Sequence, residues 1–220
     1  MVEFDYQWAS LPSKNIEYNE VRVDEFLRFT GLDKSFFVGK EALDAGCGNG
    51  RYTWAMQRLG ASVDSIDISI EAIIKCRETN PNARQLDILD LGPKKYDFIF
   101  SFGVLHHMSD PVLGFNVLKD RLVSGGLMHI MVYGKAASKR YPRLRNKFRS
   151  LDHFGKIGLC VKLVERYGGD VHGWYDALNP VYNYSYNISE IIGWYKDAGF
   201  IDINVLSKPR GHVHINGVMG

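Results

Sequence analysis

The sequence has few cysteines, and it lacks long apolar runs. Its 220 residues include only Cys47, Cys76 and Cys160, with no CxxC spacing. An odd number without that spacing argues against a disulfide framework and a cysteine zinc site. No apolar run approaches the roughly 20 residues of a membrane-spanning helix, and the opening MVEFDYQW lacks the basic start and apolar stretch of a secretory signal. We therefore expect a cytoplasmic protein without a membrane segment.

Acidic residues are missing from one segment, 135–149, which we call the basic segment. It carries seven cations, whereas the whole chain has a net charge of +2, so the remainder carries −5. An anionic partner should therefore meet this segment rather than the whole surface. Its spacing predicts a helix interrupted at Pro142. The segment could hold a phosphate, a carboxylate or a nucleotide, or it could be a solvated surface helix.

Elsewhere the composition is that of an ordinary globular domain, with 45% apolar and 24% charged residues. Short β-branched or aromatic runs alternate with helical stretches, which is typical of βαβ units. We expect strands at 41–45, 62–67, 83–86, 98–102, 127–133, 200–206 and 212–218. We expect helices at 19–30, 52–59, 69–79, 111–122 and 189–198.

This order predicts an α/β protein with a doubly wound, Rossmann-like, mostly parallel seven-stranded sheet, helices on both faces and an insertion after strand five. We treat the chain as one domain with four parts. These are an N-terminal cap (1–38), a cofactor-binding core (39–133), a substrate-binding insertion (134–187) and a final helix and strand pair (188–220). Ligands of such sheets bind at the carboxyl ends of the strands.

A glycine-rich loop, LDAGCGNGRYT, follows the first predicted strand and precedes a helix. Glycine at positions 46, 48 and 50 permits a tight turn and a close approach of backbone N–H groups to a ligand. The dinucleotide fingerprint would need glycine at position 51, where Arg51 stands, and the GKS or GKT ending of a P-loop is absent. The loop therefore predicts a ligand site of another kind.

Acidic residues lie at the ends of the next two predicted strands. Asp67 lies 21 positions after Gly46, close to the spacing of roughly 20 at which an acid binds both ribose hydroxyls. Asp87 ends the third strand and could accept the exocyclic amine of a purine. Each motif alone could be a tight turn or a helix cap, but three strand ends in register favour a nucleoside-containing ligand.

These motifs, with YDFIFSFGVLHHMSDP and LVSGGLMHIMVYG, resemble the successive motifs of class I S-adenosyl-L-methionine-dependent methyltransferases. In that family the acid opening the loop sits near the methionyl amino group, the glycines approach the cofactor, the second acid binds the ribose and the third contacts adenine. The resemblance implies S-adenosyl-L-methionine as the cofactor. It assigns cofactor binding to Asp44, Gly46, Cys47, Gly48, Asp67, Ile68, Asp87, Ile88, Ser101 and Phe102.

The fourth strand ends in SFGVLHH. Methyltransferases of exocyclic base amines carry an NPPY-type sequence there, so that subtype is disfavoured. Ubiquinone-type O-methyltransferases hold magnesium with two glutamates and a histidine. Gly103 and His106 replace the glutamates and only His107 is shared, so no metal site is expected.

Histidine has an ordinary pKa of about 6.5 and could accept a proton. We assign His106 as a candidate base, although both histidines could instead pack or cap a helix, and transfer may need no base.

An aromatic segment, HGWYDALNPVYNYSYN, runs from position 172 to 187. Aromatic residues at this density predict a wall or lid over the methyl acceptor, with Asp176 or His172 as polar contacts. The alternative is a hairpin-like cover on the sheet. The candidate substrate residues are His107, Arg140, Arg143, Trp174, Tyr175 and Tyr182. A site towards Tyr6, Trp8 and Tyr18 is the alternative location.

We therefore expect a methyltransferase that acts on an O or N atom of a small-molecule acceptor, such as a metabolite, sugar or antibiotic-type intermediate, and produces S-adenosyl-L-homocysteine. Two alternatives remain open. One is an RNA methyltransferase that uses the basic segment. The net negative charge of the rest of the chain makes a nucleic-acid partner less favoured. The other is a cofactor-binding partner protein without catalysis. The sequence does not predict the oligomeric state.

Overall fold

A seven-stranded sheet organises the protein. The computed structural model describes residues 4–11, 18–139, 141–207 and 211–220. The strand order is β3-β2-β1-β4-β5-β7-β6, and β7 runs antiparallel to both neighbours. The predicted doubly wound, mostly parallel sheet is confirmed. The strands are β1 (Glu41–Ala45), β2 (Ser62–Asp67), β3 (Arg84–Gln85), β4 (Tyr96–Phe102), β5 (Leu122–Val132), β6 (Phe200–Val205) and β7 (Val213–Met219).

The helices connect the strands and build the segment after β5. Those of the N-terminal part and the core are α1 (Asp5–Ser10), α2 (Glu20–Thr30), α3 (Arg51–Arg58), α4 (Ile70–Cys76) and α5 (Pro111–Lys119). Those that follow β5 are α6 (Tyr141–Arg149), α7 (His153–Tyr167), α8 (Val171–Leu178) and α9 (Ile188–Asp197). Short 3-10 turns lie at Lys34–Phe37, Ile88–Asp90 and Leu105–His107.

Local chemistry sets several helix ends where the sequence predicts them. The side chain of Ser69 accepts a hydrogen bond from the backbone N–H of Ala72, and Asp110 accepts one from Leu113. Both satisfy backbone donors that a helix N-terminus otherwise leaves unpaired. Gly31 ends α2 in the left-handed conformation, with φ of 64°.

The two faces of the sheet are covered by different helices. Alternate residues of β4 point to opposite sides, so Phe98 and Phe100 pack with α2 and α3, whereas Ile99 packs with α5 and α9. This double cover fixes the strand ends, and with them the loops that build the site.

The segment after β5 differs from the expectation. Pro142 was expected to interrupt a helix, but it lies in the first turn of α6, where a missing N–H is tolerated. No helix is expected in the aromatic segment, yet its first half belongs to α8. Asp170 caps α8 by accepting a hydrogen bond from the N–H of Gly173 at 2.7 Å. Long-range packing on α7 and α6 stabilises this short helix.

A polar group of atoms is buried between β5, β7 and α2. His129 Nδ1 lies 2.5 Å from Asn216 Oδ1, and Asn216 Nδ2 donates to the carbonyl of Thr30. Burial lowers the pKa of His129 to about 3, and it lowers that of the neighbouring His214 to about 4. Both rings are therefore neutral in the folded protein at neutral pH.

We expect His129 to make the protein less stable in mild acid. Its ordinary pKa in the unfolded chain is about 6.5, so below that pH the unfolded state binds a proton that the folded state does not. The free energy of unfolding should fall by about 1.4 kcal/mol per pH unit from this residue. Urea unfolding at pH 7.5, 6.5 and 5.5 measures it. His129→Gln should flatten the slope, whereas the exposed His153→Gln should not; equal slopes would contradict the assignment.

Among the helices of the described residues, none has both the length and the apolar character needed to cross a membrane.

Candidate functional site

One large cavity lies at the carboxyl ends of the strands and has a volume of about 470 Å³. It runs from the loops after β1, β2 and β3 to the end of β5 and the inner face of α8. Several predicted site residues line it, namely Gly46, Asp67, Ile68, Asp87, Ile88, Phe102, His107 and Tyr182. The predicted polar contacts His172 and Asp176 line it as well.

The glycine loop packs tightly where it crosses the cavity. A Cβ on Gly46 would come within 2.2 Å of Val104, and one on Gly48 within 2.5 Å of the indole ring of Trp8. Both glycines also have positive φ, 84° and 55°. Glycine is therefore required here by its conformation and by protein packing, in addition to any ligand.

Asp67 is placed at the end of β2 with its carboxylate on the cavity. Its Oδ2 accepts a hydrogen bond from the backbone N–H of Gly48, and its Oδ1 accepts one from Ser69, both at 2.9 Å. Burial raises its pKa to about 6 despite these bonds. The carboxylate thus fixes the glycine loop and presents negative charge to a ligand.

Asp44 occupies a different position. It is buried, accepts a hydrogen bond from Thr53 Oγ1 at 2.7 Å, and is not among the residues that line the cavity. Burial raises its pKa to about 7. Cys47, Gly48 and Ser101 also lie behind the lining. Their predicted cofactor contacts stay predictions, and Asp44 is placed to support the glycine loop through Thr53 at the start of α3.

Apolar side chains surround Asp87 at the end of β3. Ile68, Leu86, Ile88 and Leu89 line this part of the cavity. Asp87 Oδ1 accepts a hydrogen bond from the N–H of Leu89 at 2.9 Å, which orients the carboxylate at the start of a 3-10 turn. A flat ring with one polar edge fits such a slot.

The adjacent histidines have separate environments. His106 is fully buried, packs against the tilted ring of Tyr133 with a centroid distance of 3.9 Å, and does not line the cavity. Burial and the neighbouring His107 lower its pKa well below the usual value. Its placement does not support the predicted role as a base. His107, by contrast, lines the cavity, with Nδ1 3.1 Å from the carbonyl oxygen of Tyr182.

Asp176 connects the parts of the site. Its Oδ1 accepts a hydrogen bond from Gln7 Nε2 at 3.0 Å, and its Oδ2 accepts one from the hydroxyl of Tyr133 at 2.9 Å. His107 Nε2 lies 3.4 Å from the same Oδ2. Burial raises the pKa of Asp176, but His107, the hydrogen bond from Gln7 and the nearby His172 outweigh burial and hold that pKa well below its usual range.

The helical period of α8 decides which aromatic residues reach the cavity. Residues 172 and 176 are one turn apart and share the inner face. Trp174 points elsewhere, donating to the carbonyl of Gly168 at 2.9 Å, and Tyr175 is buried against Phe148. Neither lines the cavity, which corrects the reading of the segment as an aromatic wall. Tyr182 does line it.

Of the two arginines predicted to contact substrate, Arg143 is exposed on α6 and away from the cavity, and Arg140 lies outside the described residues. Arg145 is the buried cation of α6. It donates hydrogen bonds to the carbonyls of Leu178, Pro180 and Val181. The basic helix is thereby fastened to the chain that leads into Tyr182.

Helix α1, the roof helix, is the main element of the site that the motifs do not indicate. Phe4, Gln7 and Trp8 line the cavity. The roof helix is held on one side by Asp5, which accepts a hydrogen bond from Ser69 Oγ at 2.6 Å, and by Lys75, which donates to the carbonyl of Trp8. Only the aromatic residues of MVEFDYQW pointed to a site at the amino end. Arg51, Met131 and Tyr133 were also missed, because nothing in their local pattern distinguishes them from core or surface residues.

The cavity is rich in carboxylates. Four aspartates line it, Asp67, Asp87, Asp170 and Asp176, together with one arginine, Arg51. Within the described residues no group of three or more histidine, cysteine or acidic side chains is arranged to hold a metal ion. The charge therefore favours a cationic ligand.

Comparisons with known proteins identify the family to which the cofactor-binding core belongs. The sequence profile of a family described as methyltransferase domain matches residues 43–130. These residues form a class I, S-adenosyl-L-methionine-dependent methyltransferase domain. A tRNA U34 carboxymethyltransferase of Pseudomonas fluorescens is 37% identical over 128 residues, which is 49% of this chain and 40% of that protein. The chain thus spans less than half the length of this curated relative.

Solved structures share the fold. The magnesium protoporphyrin IX methyltransferase of Synechocystis, with bound S-adenosylhomocysteine, has a TM-score of 0.59 at 17% identity, covering 91% of this chain and 83% of its own. A Burkholderia thailandensis 1,6-didemethyltoxoflavin-N1-methyltransferase has a TM-score of 0.56 at 15% identity, with 91% and 79% covered. At these identities the likeness concerns the fold alone.

Proposed function

We propose that the protein transfers a methyl group from S-adenosyl-L-methionine to an O or N atom of a small-molecule acceptor. The observation that carries this is one continuous cavity that runs from the loops after β1, β2 and β3 to the aromatic side chains of Phe102, Tyr133 and Tyr182. Its volume of about 470 Å³ lies within the roughly 300 to 1,000 Å³ of small-molecule sites. The roof helix covers it, as a dry reaction site requires.

The residues present fit the cofactor. Asp67 would bind the ribose hydroxyls, the apolar slot around Ile88 would take the adenine with Asp87 at its polar edge, and Gly46 would adjoin the methionyl part. Four carboxylates against one arginine suit a ligand that carries a positive sulfonium and an ammonium. When bound, the cofactor supplies an electrophilic methyl group.

The residues at the other end of the cavity would hold the acceptor. Phe102, Met131, Tyr133 and Tyr182 offer apolar and aromatic contacts, and the pair formed by His107 and Asp176 offers the polar ones. His107 Nδ1 lies 3.1 Å from the carbonyl oxygen of Tyr182 and Nε2 lies 3.4 Å from Asp176 Oδ2, so both nitrogens are directed at the wall of the cavity. We infer that the chain accelerates transfer mainly by orienting the acceptor and excluding water.

The direct experiment measures the formation of S-adenosyl-L-homocysteine by the purified protein with a panel of hydroxylated and amine-containing metabolites. Calorimetry with the same product establishes cofactor binding separately. Product formed only in the presence of one acceptor class supports the proposal. Binding without turnover on any acceptor, including RNA, would instead favour a cofactor-binding partner protein.

RNA is the second candidate acceptor, and a specific surface favours it. The exposed cations Lys139, Arg143, Lys147 and Arg149 have no ion pair among the described residues. Tyr182 and Tyr184 stack beside the cavity and are each about 40% exposed. Cations beside exposed aromatic rings are typical of single-stranded RNA surfaces. The tRNA-modifying relative supports the same reading.

If RNA binds here, replacing Arg143, Lys147 and Arg149 with glutamate should reduce the dependence of RNA affinity on salt. Loss of three phosphate contacts should change the slope of log K against log salt by about 2 for a single strand. Fluorescence anisotropy with a labelled 16-nucleotide RNA measures this. The matched control replaces the exposed Lys34, Arg84 and Lys196. A flat salt response in the unmodified protein would remove RNA as a candidate.

A further inference from the structure

Two buried hydrogen-bond acceptors lie where the roof helix meets α8. Gln7 is 2% exposed and lines the cavity, and its Oε1 has no partner among the described residues. His172 also lines the cavity, and its Nδ1 is likewise buried without a partner. A buried hydrogen-bond acceptor without a partner destabilises the structure that contains it. A ligand that donates hydrogen bonds would remove that cost.

The two residues belong to one cluster. Gln7 Nε2 donates a hydrogen bond to Asp176 Oδ1 at 3.0 Å. His172 and Asp176 share the inner face of α8. Trp8 packs on the ring of His172 with a centroid distance of 4.4 Å. The cluster is therefore formed only when the roof helix lies closed on α8.

The charges near Gln7 and His172 favour one kind of hydrogen-bond donor in a ligand. Asp176 is ionised, because its partners hold its pKa well below the usual range. His172 is neutral, since burial lowers its pKa. Its Nδ1 is buried without a partner among the described residues, and in the tautomer protonated at Nε2 this atom is a hydrogen-bond acceptor. Two neutral acceptors beside a carboxylate match a group with several N–H donors and a positive charge.

We propose that the junction of α1 and α8 binds a protonated aliphatic amine of the methyl acceptor, with Gln7 Oε1 and His172 Nδ1 as its hydrogen-bond acceptors. The inference rests on the proposed methyltransferase function and narrows its substrate class to amines. Gln7 and His172 both line the cavity, so an amine would approach the two atoms from the cavity side. The contacts of Asp176 with Tyr133 and His107 place the junction at the acceptor end.

The test compares amines with neutral alcohols of the same skeleton. Calorimetry at pH 7.5 on the full chain saturated with S-adenosyl-L-homocysteine uses tyramine against tyrosol and benzylamine against benzyl alcohol. In at least one pair, the amine should bind on the order of tenfold more tightly. Gln7→Met and His172→Phe should each abolish most of that preference. His172→Gln, which keeps an acceptor atom, should retain part of it, and Gln57→Met is the matched control.

The outcomes separate the proposals. No preference in either pair, or a preference unchanged in Gln7→Met and His172→Phe, overturns the amine site while the proposed function stands. The cofactor also carries an ammonium group, so its affinity is measured for every variant. If the variants weaken S-adenosyl-L-homocysteine binding and leave the amine preference intact, the amine site of the acceptor is likewise overturned. Absence of S-adenosyl-L-homocysteine binding by the folded wild type would reject both.

Discussion

Replacing Asp67 with alanine should weaken the binding of S-adenosyl-L-homocysteine by about 1 to 3 kcal/mol, or roughly 5- to 150-fold. The substitution removes a charged acceptor from the cavity, and it also removes the partner of the Gly48 N–H, which holds the glycine loop. Isothermal titration measures the change. Asp64→Ala, on the same strand but outside this cavity, is the control and should leave the affinity unaltered. Equal affinities in the two variants would show that Asp67 does not contact the cofactor.

We also expect Asp67 to make the affinity for S-adenosyl-L-homocysteine depend on pH. Burial raises the pKa of Asp67 to about 6, so the carboxylate is lost as the pH falls below that value. Affinity for S-adenosyl-L-homocysteine should therefore decrease between pH 7.5 and pH 5. Asp44 also titrates in this range, because burial raises its pKa to about 7. Comparison with Asp67→Asn isolates the contribution of Asp67, since the amide does not titrate.

The core could be predicted from sequence because its signals are local. The bounds of β1 and β2 coincide with the expected strands, and Ser69 and Asp110 cap helices as expected. The third strand is shorter than expected, only Arg84–Gln85, because it pairs with β2 alone at the edge of the sheet. The fifth begins earlier, at Leu122, since pairing with Tyr96 extends it beyond the apolar run.

The part of the cavity proposed to hold the methyl acceptor could not be predicted to the same degree, because its shape depends on contacts between segments that are distant in sequence. The roof helix has only six residues and no side-chain cap at its start. Its position follows from partners such as Ser69 and Asp176, which lie far along the chain. In the aromatic segment, Trp174 and Tyr175 were chosen by residue type. Once the segment is helical, His172, Gly173 and Asp176 line the cavity, whereas Trp174 and Tyr175 do not.

The histidine pair shows why residue type alone misleads about chemistry. Both histidines follow β4 near the expected position of the methyl, yet one is a buried ring under Tyr133 and the other is held between Tyr182 and Asp176. A base requires a nitrogen lone pair directed at the acceptor. His107 instead lies with Nδ1 against the carbonyl oxygen of Tyr182, so we propose a positioning role for it.

Asp176→Asn should lower kcat/KM for the methyl acceptor by at least about tenfold while leaving S-adenosyl-L-homocysteine affinity within about twofold. The amide keeps the size of the side chain but removes the charge that orders His107, Tyr133 and Gln7. Loss of a buried charge partner also destabilises the fold, so the thermal midpoint is measured alongside. His107→Gln should cause a loss of similar size and leave the shape of the kcat profile between pH 6 and 9 unchanged. Removal of a base would instead cost roughly 100- to 10,000-fold and abolish the acidic limb of that profile, which would return His107 to a catalytic role.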